Sequence, residues 1–125
     1  MTLSVGLVAC ADEDPIEPDT DPREKFVGSW TVSEEVAGTA SGTYPSTVSL
    51  DSANSAQIRI SNIFNLGNAV SVSATVSGNN LSIGSQTVSG IAIAGTGSFL
   101  ANSFVLNYTA NDGSVTESVK ATYSR

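Results

Sequence analysis

The sequence predicts an all-β fold: a single antiparallel up-and-down meander of about eight strands closing as a small barrel, with a β-sandwich as the alternative. Three observations predict it. Apolar and polar residues alternate from about residue 26 onward, which marks half-buried strands. Clusters of Gly, Asn and Asp separate the alternating runs at short intervals. The 125 residues, 40% of them hydrophobic, suffice for one domain with one core.

The elements follow in chain order. Asp21-Pro22-Arg23-Glu24-Lys25-Phe26 reads as a helical turn, with Asp21 as cap and Pro22 at the first helical position. The first strand runs through Phe26-Val27-Gly28-Ser29-Trp30-Thr31-Val32-Ser33, with Trp30 and Val32 on one face. Val48 and Leu50, then Ile58 and Ile60, repeat that spacing. Residues 70–76 alternate without a break from Val70 to Val76, and Leu81 and Ile83 follow. Ile91 and Ile93 sit in a glycine-flanked run. Phe104, Leu106 and Tyr108 share a face, as do Val115, Val119, Ala121 and Tyr123. Asn65-Leu66-Gly67-Asn68 and Ser77-Gly78-Asn79-Asn80 supply turns. Asn111-Asp112-Gly113 is the strongest hairpin signal. The inward set is Trp30, Val32, Leu50, Ile58, Ile60, Val70, Val72, Val76, Ile83, Phe104, Leu106 and Val119, enough to fill a short barrel or to line a cup at its open end.

Charge is concentrated at one end. The net charge is −7, and residues 11–25 carry seven carboxylates against Arg23 and Lys25, leaving −2 for the rest. Such a domain has no electrostatic footprint for nucleic acid, and none is expected as a partner. The chain has no histidine and one cysteine, so imidazole chemistry, an intrachain disulfide and a paired-cysteine metal site are excluded. No metal, cofactor or catalytic residue is expected, and the chain reads as no enzyme.

The lone cysteine, Cys10, ends the run Leu7-Val8-Ala9-Cys10, which resembles the lipobox of bacterial lipoproteins. The resemblance implies that Cys10 is acylated and becomes the mature N-terminus. The apolar run is far short of the about 20 residues a span needs, and its positive n-region and apolar h-region are incomplete, so residues 1–9 then read as the end of a signal peptide whose natural start lies upstream. Residues 10–22 form an acidic linker with Pro15, Pro18 and Pro22. The β domain occupies 23–125. Ala11-Asp12-Glu13-Asp14 resembles the export signal of Bacteroidetes-type surface lipoproteins, which implies an outer-membrane lipoprotein at the cell surface; a periplasm-facing anchor is the alternative. The membrane is thus a partner through the acyl chains on Cys10, two or more of which hold firmly.

Gly28-Ser29-Trp30 at the start of the first strand resembles the first motif of lipocalin-like (calycin) barrels. The resemblance implies that Gly28 permits a tight turn into the strand, that Trp30 plugs the closed end, and that Arg125 stacks on its ring. The later Thr-Asp-Tyr motif and C-terminal helix of typical lipocalins are missing, which brings the chain nearer to compact lipocalin-like lipoproteins.

Trp30, Glu34, Tyr108 and Glu117 are the candidates for a ligand cavity or its rim. Glu34 and Glu117 fall on inward parity. A buried carboxylate is costly unless paired, so a rim position or an outward turn at a bulge is expected, ahead of ligand contact or an acid–base pair. Ser52 in Asp51-Ser52-Ala53 resembles the O-glycosylation acceptor of Bacteroidetes-type exported proteins. The expected function is a membrane-anchored, non-enzymatic barrel, a monomer, that takes a small apolar ligand or serves a structural role. The alternative is a surface interaction module, an Ig-like sandwich with an unidentified glycan or protein partner.

Overall fold

The computed structural model describes residues 21–125; Cys10, the lipobox and the acidic run through residue 20 lie outside the described residues. Eight strands follow one another: β1 Gly28–Val36, β2 Thr39–Leu50, β3 Gln57–Ser61, β4 Ser71–Ser77, β5 Asn80–Val88, β6 Ile91–Leu100, β7 Ser103–Asn111 and β8 Thr116–Ser124. Each pairs antiparallel with the next, and β1 pairs with β8, so the meander closes into a barrel. The sandwich alternative is set aside by that closure. Short 3-10 turns occur at Glu24–Phe26 and Ile63–Asn65.

Four of the seven connections are two-residue hairpins. At Ala37-Gly38, Ser89-Gly90 and Ala101-Asn102 both central residues have positive φ, the geometry whose twist matches the flanking strands. The strongest hairpin signal in the sequence gives a longer loop. Asn111 and Thr116 form the last pair, and residues 112–115 bulge out between them. The reason is side-chain competition: Asn111 Oδ1 accepts from Gly113 N–H, and Asp112 Oδ1 accepts from Ser114 and Val115 N–H. Val115, expected on the inward face, therefore sits in this loop, 56% exposed. Leu50 is also corrected: it is the last residue of β2 and 38% exposed. Val70 is half-buried and precedes β4 by one residue.

The two ends differ. The chain arrives at one end, where the Glu24–Phe26 turn, the loops 51–56, 78–79 and 101–102, and the C-terminus lie. Asp21 belongs to this folded end. Its carboxylate accepts from the Arg23 backbone N–H and side chain, and Arg23 Nη1 donates to the carbonyls of Asn54 and Gln57. Phe26 is fully buried and meets Phe99 and Phe104 edge-on, sealing this end. The other end, the mouth, carries loops 37–38, 89–90, 112–115 and the long β3–β4 connection 62–70.

Between the ends the interior is filled. Val32, Val48, Ile58, Ile60, Val72, Ile83, Leu106 and Tyr123 are all buried along the axis. Their polar neighbours in each strand face out, as alternation requires. Gly95 points inward on β6, where a Cβ would strike Tyr108 Cα and Cβ at 2.5 Å. Its missing side chain lets β7 approach closely and leaves room for the tyrosine.

Candidate functional site

At the sealed end, β1 carries Trp30 inward at the level where β8 runs out. The indole N–H donates to the Phe26 carbonyl at 2.9 Å, and Phe104 meets the ring edge-on. The Arg125 guanidinium lies 3.7 Å from the ring centroid, and its two terminal nitrogens donate to the carbonyls of Val27 and Lys25. Gly28 has φ +127°, and a Cβ there would lie 2.6 Å from Arg125 Nη1. Gly28, Trp30 and Arg125 thus form one stack, and Trp30 belongs to the seal rather than to any recess.

Further along β1, Glu34 points into the barrel and is 5% exposed. A bulge does occur here, but on the partner strand. Glu34 pairs with Gly42 and Glu35 with Ala40, so Ser41 of β2 is the extra residue. Glu34 therefore stays inward, against the rim expectation, and Glu35 faces solvent. Small residues, Gly42 and Ala121, lie opposite Glu34 on both neighbouring strands and make room for its carboxylate. Three hydroxyls donate to it: Tyr44 and Tyr108 to Oε2 at 2.8 and 3.1 Å, and Ser41 to Oε1 at 3.2 Å. No cation pairs with it among the described residues; the two ion pairs there are Arg23–Asp21 and Arg59–Asp51.

Tyr123 completes the cluster. Tyr44 and Tyr123 lie opposite Val32 from either side. The Tyr123 hydroxyl is buried without a hydrogen-bond partner among the described residues. Its polar neighbour Ser46 donates its own proton to the Ser61 carbonyl at 2.7 Å. Burial pushes all three phenols above their ordinary range near 10; the Glu34 charge adds to this at each, and neighbouring phenols add to it at Tyr44 and Tyr108.

The connection 62–70 covers the cluster at the mouth. Asn62 pins its base: Nδ2 donates to the Pro45 carbonyl, and Oδ1 accepts from Gly67 N–H. Phe64 is held at φ +54°, a left-handed conformation strained for a bulky residue. Its ring meets Tyr108 edge-on at 6.4 Å. Outside it lies a recess of about 190 Å3 bounded by Phe64, Ile91, Ala110, Asp112, Val115 and Glu117. Glu117 is exposed and bounds this recess. Glu34 and Glu117 are not brought face to face. Ala121, the β8 partner of Glu34, is four residues from Glu117, roughly 13 Å of strand. Paired glycosidic carboxylates sit closer than that.

A second depression, about 410 Å3, lies on the outer wall; its surface is mostly apolar, and Ala94, Gly95, Tyr108 and Val119 line it together with Asn107, Thr109, Ser118, Lys120 and Glu35. Ser52 is exposed in the β2–β3 loop, where Asp51 Oδ1 accepts from the N–H of Ala53 and Asn54. Among the described residues no group of three His, Cys, Asp or Glu could hold a metal ion. No helix there is long and apolar enough to cross a membrane.

Sequence reasoning found Glu34, Tyr108 and Glu117 and missed Ser41, Tyr44, Tyr123 and Phe64 as site residues. Tyr44 was discoverable, since it shares parity with Val48. Phe64 was hidden by the turn signal that follows it. No family model matches the chain, and no curated protein matches it.

Proposed function

We propose that the chain is a lipid-anchored, lipocalin-like, non-enzymatic barrel that takes a small ligand at the end away from its tether. One observation carries this reading: the chain arrives at the sealed end, and the opposite end is a mouth whose lid borders an open recess. Acylation of Cys10 at the end of residues 11–20 would attach the bilayer on the sealed side, so the mouth would face outward from the outer membrane. The proposed placement is the cell surface, with the protein acting as a monomer.

Two measurements test it. Intact-mass analysis of the protein purified from its own host is expected to find a diacylglyceryl group on Cys10; a free thiol there removes the anchor from the reading. Melting curves of the 21–125 barrel against a panel of small metabolites are expected to show a rise with at least one compound. A flat response across the panel removes the ligand. A surface interaction role is favoured by one separate observation, the outer groove, where Asn107, Thr109, Ser118 and Lys120 stand beside a mostly apolar floor, a mixture that suits the polar edges and apolar faces of a short glycan.

A further inference from the structure

We propose that the mouth ligand is an organic ammonium, an aromatic amine whose charged head reaches Glu34 beneath the Phe64 lid; this rests on the binding reading above. Glu34 is a buried carboxylate without a counter-cation among the described residues, beside the hydroxyls of Tyr44 and Tyr108. An anion left in such a place is costly unless something compensates it. Three hydroxyl donors compensate in part. A cation would do so further.

The second observation is independent. The Tyr123 hydroxyl is fully buried beside Ser46, has no hydrogen-bond partner among the described residues, and lies in the field of the Glu34 charge. An ammonium brings three donors and no acceptor. Glu34 and the Tyr123 oxygen are acceptors suited to that inventory.

Charge along the approach points the same way. Asp112 and Glu117 stand at the mouth. All five basic side chains of the chain lie elsewhere. Arg23, Lys25 and Arg125 are at the sealed end, Arg59 reaches Ser71, Ser73 and Asp51, and Lys120 faces out from β8. An approaching cation is drawn in and a fatty-acid carboxylate is repelled. The ligand's ring would take the place of Phe64 against Tyr108. The left-handed conformation of Phe64 lowers the cost of lifting it, since release relieves the strain.

Calorimetry with three isosteric probes at neutral pH tests this: 2-phenylethylamine, 2-phenylethanol and phenylacetate. The amine is expected to bind at least about tenfold more tightly than either of the others. Glu34→Gln is expected to weaken the amine by about tenfold and the alcohol by much less. Tyr123→Phe removes only an unpartnered hydroxyl, so it keeps the fold, and is expected to weaken the amine severalfold. Phe64→Ala is expected to tighten it. Alcohol or phenylacetate binding as tightly as the amine overturns the ammonium assignment and leaves a ligand-binding barrel standing. Amine affinity unchanged in both Glu34→Gln and Tyr123→Phe places the amine elsewhere and overturns it too. Silence of all three probes with wild type and Phe64→Ala overturns it as well, whatever the wider metabolite panel shows.

Discussion

A single hydrogen atom at Gly28 lets Arg125 lie over Trp30. Its φ of +127° excludes most side chains, and the guanidinium fills the space a Cβ would need. Gly28→Ala is expected to cost about 1–3 kcal/mol, lowering the melting temperature by roughly 5 to 15 °C. Part of that cost is the displaced arginine, so Arg125→Ala should destabilise the Gly28→Ala protein less than wild type; strictly additive losses in a double-mutant cycle would contradict the stack. This part of the molecule was legible because the residues lie in one short motif and at the chain end. Glu34 was legible only in its parity. Its burial depends on the bulge residue Ser41 being on β2 and on Gly42 and Ala121 leaving room, neither of which one strand's pattern contains. Leu50 and Val115 failed for a related reason: alternation says which face a residue takes but not where the strand stops.

Every strand was legible as an element, because a sheet with one buried face must alternate. The hairpins were less so. Ala101-Asn102 makes a two-residue turn without the glycine that would announce it. The wall between β4 and β5 was not legible at all. These strands pair only over Thr75–Ser77 and Asn80–Ser82, and β5 bulges between Ile83 and Gln86. The Gln86 side chain closes the seam as a peptide group would: Oε1 accepts from Ser73 N–H at 3.0 Å, and Nε2 donates to the Ser73 carbonyl at 2.9 Å. Nε2 also donates to the Gly84 carbonyl. Read from sequence, Gln86 is one more outward polar residue. Gln86→Ala leaves the Ser73 groups unpaired and is expected to cost about 1–3 kcal/mol. Hydrogen exchange at the Ser73 amide should accelerate while β7 and β8 keep their protection relative to global unfolding. An unchanged Ser73 rate would show that the seam is held by other contacts.

For the whole barrel, all three tyrosines of the chain lie in the interior. Unfolded tyrosines ionise near pH 10, while the folded ones hold their protons well above it. The folded state therefore binds more protons than the unfolded state above pH 10, and stability falls as pH rises, by up to about 4 kcal/mol per pH unit for three groups. Phenolate absorbance is expected to appear together with loss of the barrel's circular dichroism, in one cooperative step; a gradual titration near pH 10 with the fold intact would contradict the buried cluster. On the acid side, the carboxyls of Asp21, Asp51 and Asp112 are held below their ordinary range by the donors they accept. Their contribution is present above about pH 4 and lost as pH falls through the folded values. The barrel as a whole is thus sealed at the end where the chain arrives, and acidic and strained at the mouth. Amide hydrogen exchange resolved by residue tests that asymmetry most directly. Residues 63–67 should open with a free energy well below that of global unfolding, while Trp30, Val32 and the β7–β8 pairs exchange only through global unfolding. Equal protection at both ends would contradict a mouth that opens on its own.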